Sequence, residues 1–225
     1  MTNNIPTLRS VAMLGLFLCS MAALPRQALA GAYDDFFKAV QLDDARTINA
    51  LIQRGLDPNI IEGKRGDTGL ILGLREDSKK VIAALIQARD INFEVRARNG
   101  DTALMIAAYK GNRNAVLALL EKGAEPNQTG WTALHYAAAV GNNDIVKIML
   151  DRSAYIDAES PNKTTPIMMA ARAGHILTVK LLLDEGADAT LKNDQGMTAI
   201  DLAVKYEHPD IAEGLAYQLR KAGKF

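Results

Sequence analysis

From Asp34 onward the apolar residues fall into two alternating patterns. One is a compact box: Thr-Ala-Leu-Met-Ile-Ala at 102–107, Thr-Ala-Leu-His-Tyr-Ala at 132–137, Thr-Pro-Ile-Met-Met-Ala at 165–170 and Thr-Ala-Ile-Asp-Leu-Ala at 198–203. A degenerate Thr-Gly-Leu-Ile-Leu-Gly stands at 68–73, and a further frame starts at Asp34 with Ala39 in its last place. The other pattern is a stripe: Ile48 with Leu51-Ile52, Ile82 with Leu85-Ile86, Val116 with Leu119-Leu120, Val146 with Met149-Leu150, and Val179 with Leu182-Leu183. Positions i, i+3 and i+4 form one face of an amphipathic helix. Successive boxes start 34, 34, 30, 33 and 33 residues apart. A fixed period of this length marks a stacked repeat.

Recurring polar and small residues give each unit its punctuation. A threonine opens the box, where its hydroxyl can accept from an orphan N–H of a starting helix. Paired alanines (Ala107-Ala108, Ala137-Ala138, Ala170-Ala171) keep that helix thin enough for neighbours to approach. Gly111, Gly141 and Gly174 follow nine residues after the box begins and predict a left-handed helix end. Gly55, Gly123 and Gly186 cap the second helix. Asn99-Gly100 and Gln195-Gly196 supply a tight turn before the next box.

The Thr-Ala/Pro-Leu/Ile-x-x-Ala box, Gly-His at 174–175 and Leu-Leu-x-x-Gly-Ala-Asp at 182–188 resemble the ankyrin repeat family, over residues 34 to about 220. The resemblance implies an all-α solenoid of about six helix-turn-helix units with β-turn fingers, starting near 34, 66, 100, 130, 163 and 196. It also implies binding of protein partners on a concave face made by the fingers and the exposed side of each first helix. Carried over by repeat position, that face is expected to contain Arg96, Arg98, Tyr109, Lys110, Gln128, Trp131, Tyr136, Val140, Glu159, Lys163, Met169 and Arg172. The mixture is cationic and aromatic, and fits a partner with an acidic or amphipathic surface.

Departures from the period are informative. Unit one lacks the threonine, and Phe36 and Phe37 are expected to plug its inner end. Unit two has Glu76-Asp77 where the helix-ending glycine belongs and Arg89 in the later glycine place. Unit five has Lys163 in the turn-glycine place. Unit six has Glu207-His208-Pro209 for Gly-His and a basic tail, and reads as a cap. The 30-residue spacing shortens the finger between Asn127 and Trp131, predicting a notch between units three and four. Trp131, the sole tryptophan, stands at its edge, either packing over the short loop or anchoring a partner.

Composition fixes the setting more than the fold. Arg9, the 14-residue apolar run Val11–Leu24, Pro25 and Ala28-Leu29-Ala30 read as a signal peptide over 1–30, leaving a repeat domain over 31–225. The run falls short of the roughly 20 residues that span a bilayer. Cleavage removes Cys19, the only cysteine, so disulfides and thiolate chemistry are excluded downstream. It also removes Arg9 and Arg26, leaving 24 basic against 26 acidic residues and a net charge of −2. That balance offers no lure for nucleic acid or anionic membrane. His135, His175 and His208 occupy repeat positions and lack metal-ligand spacing, no nucleophile elbow or phosphate loop is present, and no cofactor is expected. The expected protein is a monomeric, non-catalytic binding module, periplasmic or secreted. Similarity to exported bacterial ankyrin-repeat proteins connects it with an exported enzyme or a stress response. The alternatives are a secreted effector that mimics host scaffolds and, remote from this pattern, an enzyme.

Overall fold

Each box threonine stands one residue ahead of a helix, where unpaired N–H groups need acceptors. The computed structural model of the protein describes residues 26–223. Among these, twelve helices form six pairs: α1 (Arg26–Gln41) with α2 (Ala45–Gln53), α3 (Gly69–Glu76) with α4 (Lys79–Ile86), α5 (Ala103–Tyr109) with α6 (Arg113–Glu121), α7 (Ala133–Ala139) with α8 (Asn143–Asp151), α9 (Pro166–Arg172) with α10 (Ile176–Asp184), and α11 (Ala199–Lys205) with α12 (Pro209–Lys221). First helices stack against one another in one layer, and second helices stack in another behind them. The β pairing among the described residues is an isolated bridge, Ile61 with Thr68. The fold is the all-helical repeat solenoid that the spacing predicts. The apolar run Val11–Leu24 lies outside the described residues, and α1 crosses the expected 30/31 junction.

The threonine caps work in both directions. Thr68, Thr102 and Thr198 hydroxyls accept from the N–H three residues on, at 3.2, 3.4 and 3.2 Å. The return acceptor differs by unit. The Thr198 N–H donates to Asp201 Oδ2 at 2.8 Å and the Thr132 N–H to His135 Nδ1 at 3.1 Å. In units three and five a thioether takes the place: Met105 Sδ lies 3.4 Å from the Thr102 nitrogen and Met168 Sδ 3.5 Å from that of Thr165. These methionines are buried core residues, and their sulfurs also complete a helix cap.

The alanine pairs are fully buried in the first-helix layer. The stripe residues Ile48, Val116, Leu119, Val146, Met149 and Leu182 are each 0 % exposed, as an inward-facing helix side requires. At the N-terminal end Phe36 is buried with its ring edge-on to Phe37 at 5.3 Å, so the plug expected there is present. A methyl on Gly69 would stand 2.5 Å from Phe36 Cε1. Unit two therefore carries glycine where other boxes carry alanine or proline: the Phe36 ring occupies the space.

The left-handed turn after the first helix occurs in all six units, with φ of 68°, 72° and 78° at Gly111, Gly141 and Gly174. Asp43, Asp77 and Glu207 adopt it without glycine, at φ 53°, 58° and 63°. Asp43 puts that conformation to use: its Oδ1 accepts from the N–H groups of Lys80 and Val81 at 2.8 and 2.9 Å, capping α4 from the preceding unit. In unit two the later left-handed residue moves from the position of Arg89 to Asp90, φ 61°. Lys163 takes the turn-glycine conformation at φ 57°.

Candidate protein-binding face

The first helices expose a row at their C-terminal ends, because the residues seven and eight places after each box begins point away from the alanine seam. On α5 and its turn these are Tyr109, 54 % exposed, and Lys110. On α7, Tyr136 is half-buried, and its ring meets that of Tyr109 edge-on at 6.1 Å. Val140 completes this patch and, with Tyr109 and Lys110, borders a shallow depression of about 510 Å³. On α9, Met169 is partly buried and Arg172 is exposed, its guanidinium 4.8 Å from the centre of the Tyr206 ring. Six of the twelve expected residues thus line one continuous stretch of units three to six. Tyr206 and Lys205 belong with them, and Arg75 holds the same place in unit two; all three are absent from the sequence-based set. The signal for them was present, since all three share the repeat phase of Tyr109, Lys110 and Arg172.

Beneath Tyr136 lies a charge network. Its hydroxyl donates to Asp101 Oδ1, while Asp101 Oδ2 accepts from Arg75 Nη2 at 3.1 Å and from Asn99 Nδ2 at 2.6 Å. Arg75 Nε also lies 3.0 Å from Asp67 Oδ2, an ion pair without hydrogen-bond alignment, and Arg65 Nε stands 3.2 Å from the same oxygen. Asp67 is fully buried, so these guanidiniums supply the compensation a buried carboxylate needs. Burial, then the hydrogen bond and negative charge of Asp101, push the Tyr136 phenol well above its ordinary range. Tyr136 stays neutral and presents its ring while its hydroxyl is committed inward.

Three expected binding residues are engaged within the fingers. Arg98 donates to the carbonyls of Lys64 and Gly63 at 3.0 and 2.8 Å. Arg96 donates to the carbonyl of Gly100 at 2.8 Å, to Gln128 Oε1 at 2.7 Å and to the Thr129 carbonyl at 3.3 Å. Gln128 in turn donates to Glu94, whose other oxygen accepts from the Glu125 N–H at 2.9 Å. The shortened finger is thereby laced to the one before it. Trp131 is partly buried, its ring edge-on to His135 at 5.2 Å. Glu159 and Lys163 are exposed on the next finger, apart from the aromatic patch.

His135 is a structural group. Its Nδ1 accepts from Thr132 and its Nε2 lies 2.9 Å from the Thr164 carbonyl, which requires the neutral ring protonated on Nε2. Burial lowers its pKa to about 4. His175 Nε2 lies 3.1 Å from the Ala139 carbonyl, and its ring covers Gly141. Among the described residues no group of three or more His, Cys, Asp or Glu side chains converges to hold a metal ion, and no helix is long and apolar enough to cross a membrane.

Comparison with known proteins gives the scaffold its relatives. The chain is 34% identical over 176 residues, 76% of its length, to SH3 and multiple ankyrin repeat domains protein 2 of Homo sapiens, of which it covers 10%. It is 45% identical over 64 residues to Inversin of Danio rerio, covering 28% of this chain and 6% of that one. It is 40% identical over 89 residues to Alpha-latrocrustotoxin-Lt1a of Latrodectus tredecimguttatus, covering 38% of this chain and 6% of that one. The chain spans a tenth or less of each of these three proteins. The family model for ankyrin repeats (3 copies) matches residues 36–130, 91–160 and 134–222, and such repeats are modules for protein–protein interaction, generally without catalysis of their own. With that match running across nearly every described unit, the chain belongs to the ankyrin repeat family.

Proposed function

We propose that this chain is an exported, monomeric, non-catalytic module that holds a protein partner across the first-helix face of units three to six, in support of an exported enzyme or a stress response. The observation that carries the reading is the stretch formed by Tyr109, Tyr136, Val140, Arg172 and Tyr206. Aromatic rings and a guanidinium are left at the surface there, although nothing in the packing of the solenoid needs them outside. Such side chains dominate the energetics of protein interfaces. Export is supported by the leader-like pattern of residues 1–30 and by the absence of cysteine after Cys19.

The test is photo-crosslinking in the native cell from a reactive side chain placed at Tyr109, at Arg172 and, on the outer helix α12, at Tyr217. One partner captured from the first two sites and absent from the third is expected. Adducts from Tyr217 alone overturn the assignment of the face. Fractionation of the same cells addresses export: a chain beginning at Gly31 in the periplasm is expected, its appearance in culture medium or host cells supports the effector reading, and an intact chain in the cytoplasm refutes export.

A further inference from the structure

Three cations on the first-helix face, Lys110, Arg172 and Lys205, have no carboxylate within 4.0 Å among the described residues. Four acids of the same face are already engaged. Asp67 and Asp101 face Arg75 and Arg65, Glu76 lies 3.7 Å from Arg65, and Asp201 accepts from the Thr198 N–H and hydroxyl at 2.8 Å each. Asp144 lines the same depression as Tyr109, Lys110 and Val140, and Glu207 follows Tyr206 in the turn after α11; neither is in an ion pair among the described residues. Three unpaired cations against these two carboxylates leave the stretch a positive balance of one, in a chain whose formal charge is zero overall. Arg172 is also oriented: with one face over Tyr206 at 4.8 Å, its planar fork is held while its N–H edge stays open to a carboxylate. Between Lys110 and Arg172 lies the uncharged patch of Tyr109, Tyr136 and Val140.

Resting on the binding role proposed for this face, we infer that its occupant is an extended acidic segment of a protein partner, with an apolar or aromatic side chain seated on Tyr109, Tyr136 and Val140 and carboxylates meeting Lys110, Arg172 and Lys205. The register follows from the stacking. Neighbouring first helices pack about 9 Å apart, and an extended chain advances about 3.3 Å per residue. One unit thus corresponds to roughly three residues of ligand. The recognised pattern is an acid, an apolar residue about three places on, and two further acids at similar intervals. A basic segment meets three cations without carboxylate partners, which is how such a face excludes wrong partners.

The test uses random dodecapeptides displayed on phage, selected on the purified chain as recovered from cells, with winners re-measured as fluorescent peptides. Enrichment of peptides carrying acids at about three-residue intervals around an aromatic or aliphatic residue is expected. Their affinity should fall by roughly tenfold or more in Lys110→Glu/Arg172→Glu/Lys205→Glu and be unchanged in Lys147→Glu/Lys180→Glu on the outer helices. Circular dichroism confirms that both variants are folded. No enrichment, enrichment of neutral or basic peptides, or equal loss in both variants overturns the inference. Tighter binding of a single-stranded oligonucleotide or of anionic vesicles with the same variant sensitivity also overturns it. Crosslinking from Tyr109 and Arg172 reports on the face itself, so a partner captured there whose affinity ignores the charge reversal removes this inference and leaves the binding reading standing.

Discussion

His135 shows how one buried side chain ties this scaffold to pH. Its neutral ring accepts at Nδ1 and donates at Nε2, so a second proton would break the Thr132 cap and bury a charge. The folded pKa of about 4 lies below the usual value of 6.5. The unfolded chain therefore binds a proton that the folded chain refuses. The stabilisation is complete above about pH 6.5 and is lost as pH falls toward 4. The full loss is about 3 kcal/mol, from a shift of this size at 1.36 kcal/mol per unit. Urea denaturation at pH 7.5 and 4.5 should show it, and His135→Gln should reduce the difference by about 2 kcal/mol or more. An unchanged difference in that variant would show that the ring is not buried neutral. A second pair of residues separates space from propensity. Gly69→Ala pushes a methyl to 2.5 Å from the buried Phe36 ring and should destabilise by about 1–3 kcal/mol, whereas Gly73→Ala finds ordinary contact at 3.5 Å and should stabilise by about 0.5–1 kcal/mol through helix propensity. Thermal melts of the two variants check the difference in sign.

At the scale of helices and turns, the same backbone conformation serves different ends in different units. The left-handed turn costs a non-glycine residue about 1–2 kcal/mol. Glu207 occupies it, and among the described residues its carboxylate accepts no hydrogen bond, so Glu207→Gly should stabilise by about 0.5–1 kcal/mol. Asp43 offsets the cost by capping α4, so Asp43→Gly should instead destabilise by about 1 kcal/mol. Chemical denaturation of both variants decides whether the aspartate is kept for its cap. This is also where the sequence stops being readable. Threonine, alanine pair and glycine are legible because each answers a demand of helix ends or close helix packing that recurs from unit to unit. The Asp43 cap, the Phe36–Gly69 contact and the seating of Arg98 on the Lys64 and Gly63 carbonyls join residues 33 to 38 positions apart. They depend on side-chain reach between units, which no periodicity encodes. For the same reason Arg96, Arg98 and Gln128 read as surface groups in the sequence although their polar atoms are spent on neighbouring fingers.

Across the described units, the helices pack within each unit and against those of the adjacent ones, so stability is built from local interfaces and the exposed rows are free to vary. That freedom makes the partner hard to read from a repeat and makes an unneeded aromatic or cation on the open face informative. The repeat phase placed Tyr109, Lys110, Tyr136, Val140, Met169 and Arg172 on one stretch. It could not show that Tyr136 points its hydroxyl inward to Asp101 or that Tyr206 lies under Arg172. The binding surface proposed for the chain is this stretch. The most direct measurement is the affinity of the partner captured from the cell for the purified chain and for Tyr109→Ala, Arg172→Ala and Tyr217→Ala. Losses of roughly tenfold or more in the first two, with Tyr217→Ala unchanged, are predicted for exposed anchors at an interface. Unchanged affinity in Tyr109→Ala and Arg172→Ala, with loss in Tyr217→Ala, would contradict it and move the binding surface to the outer helices.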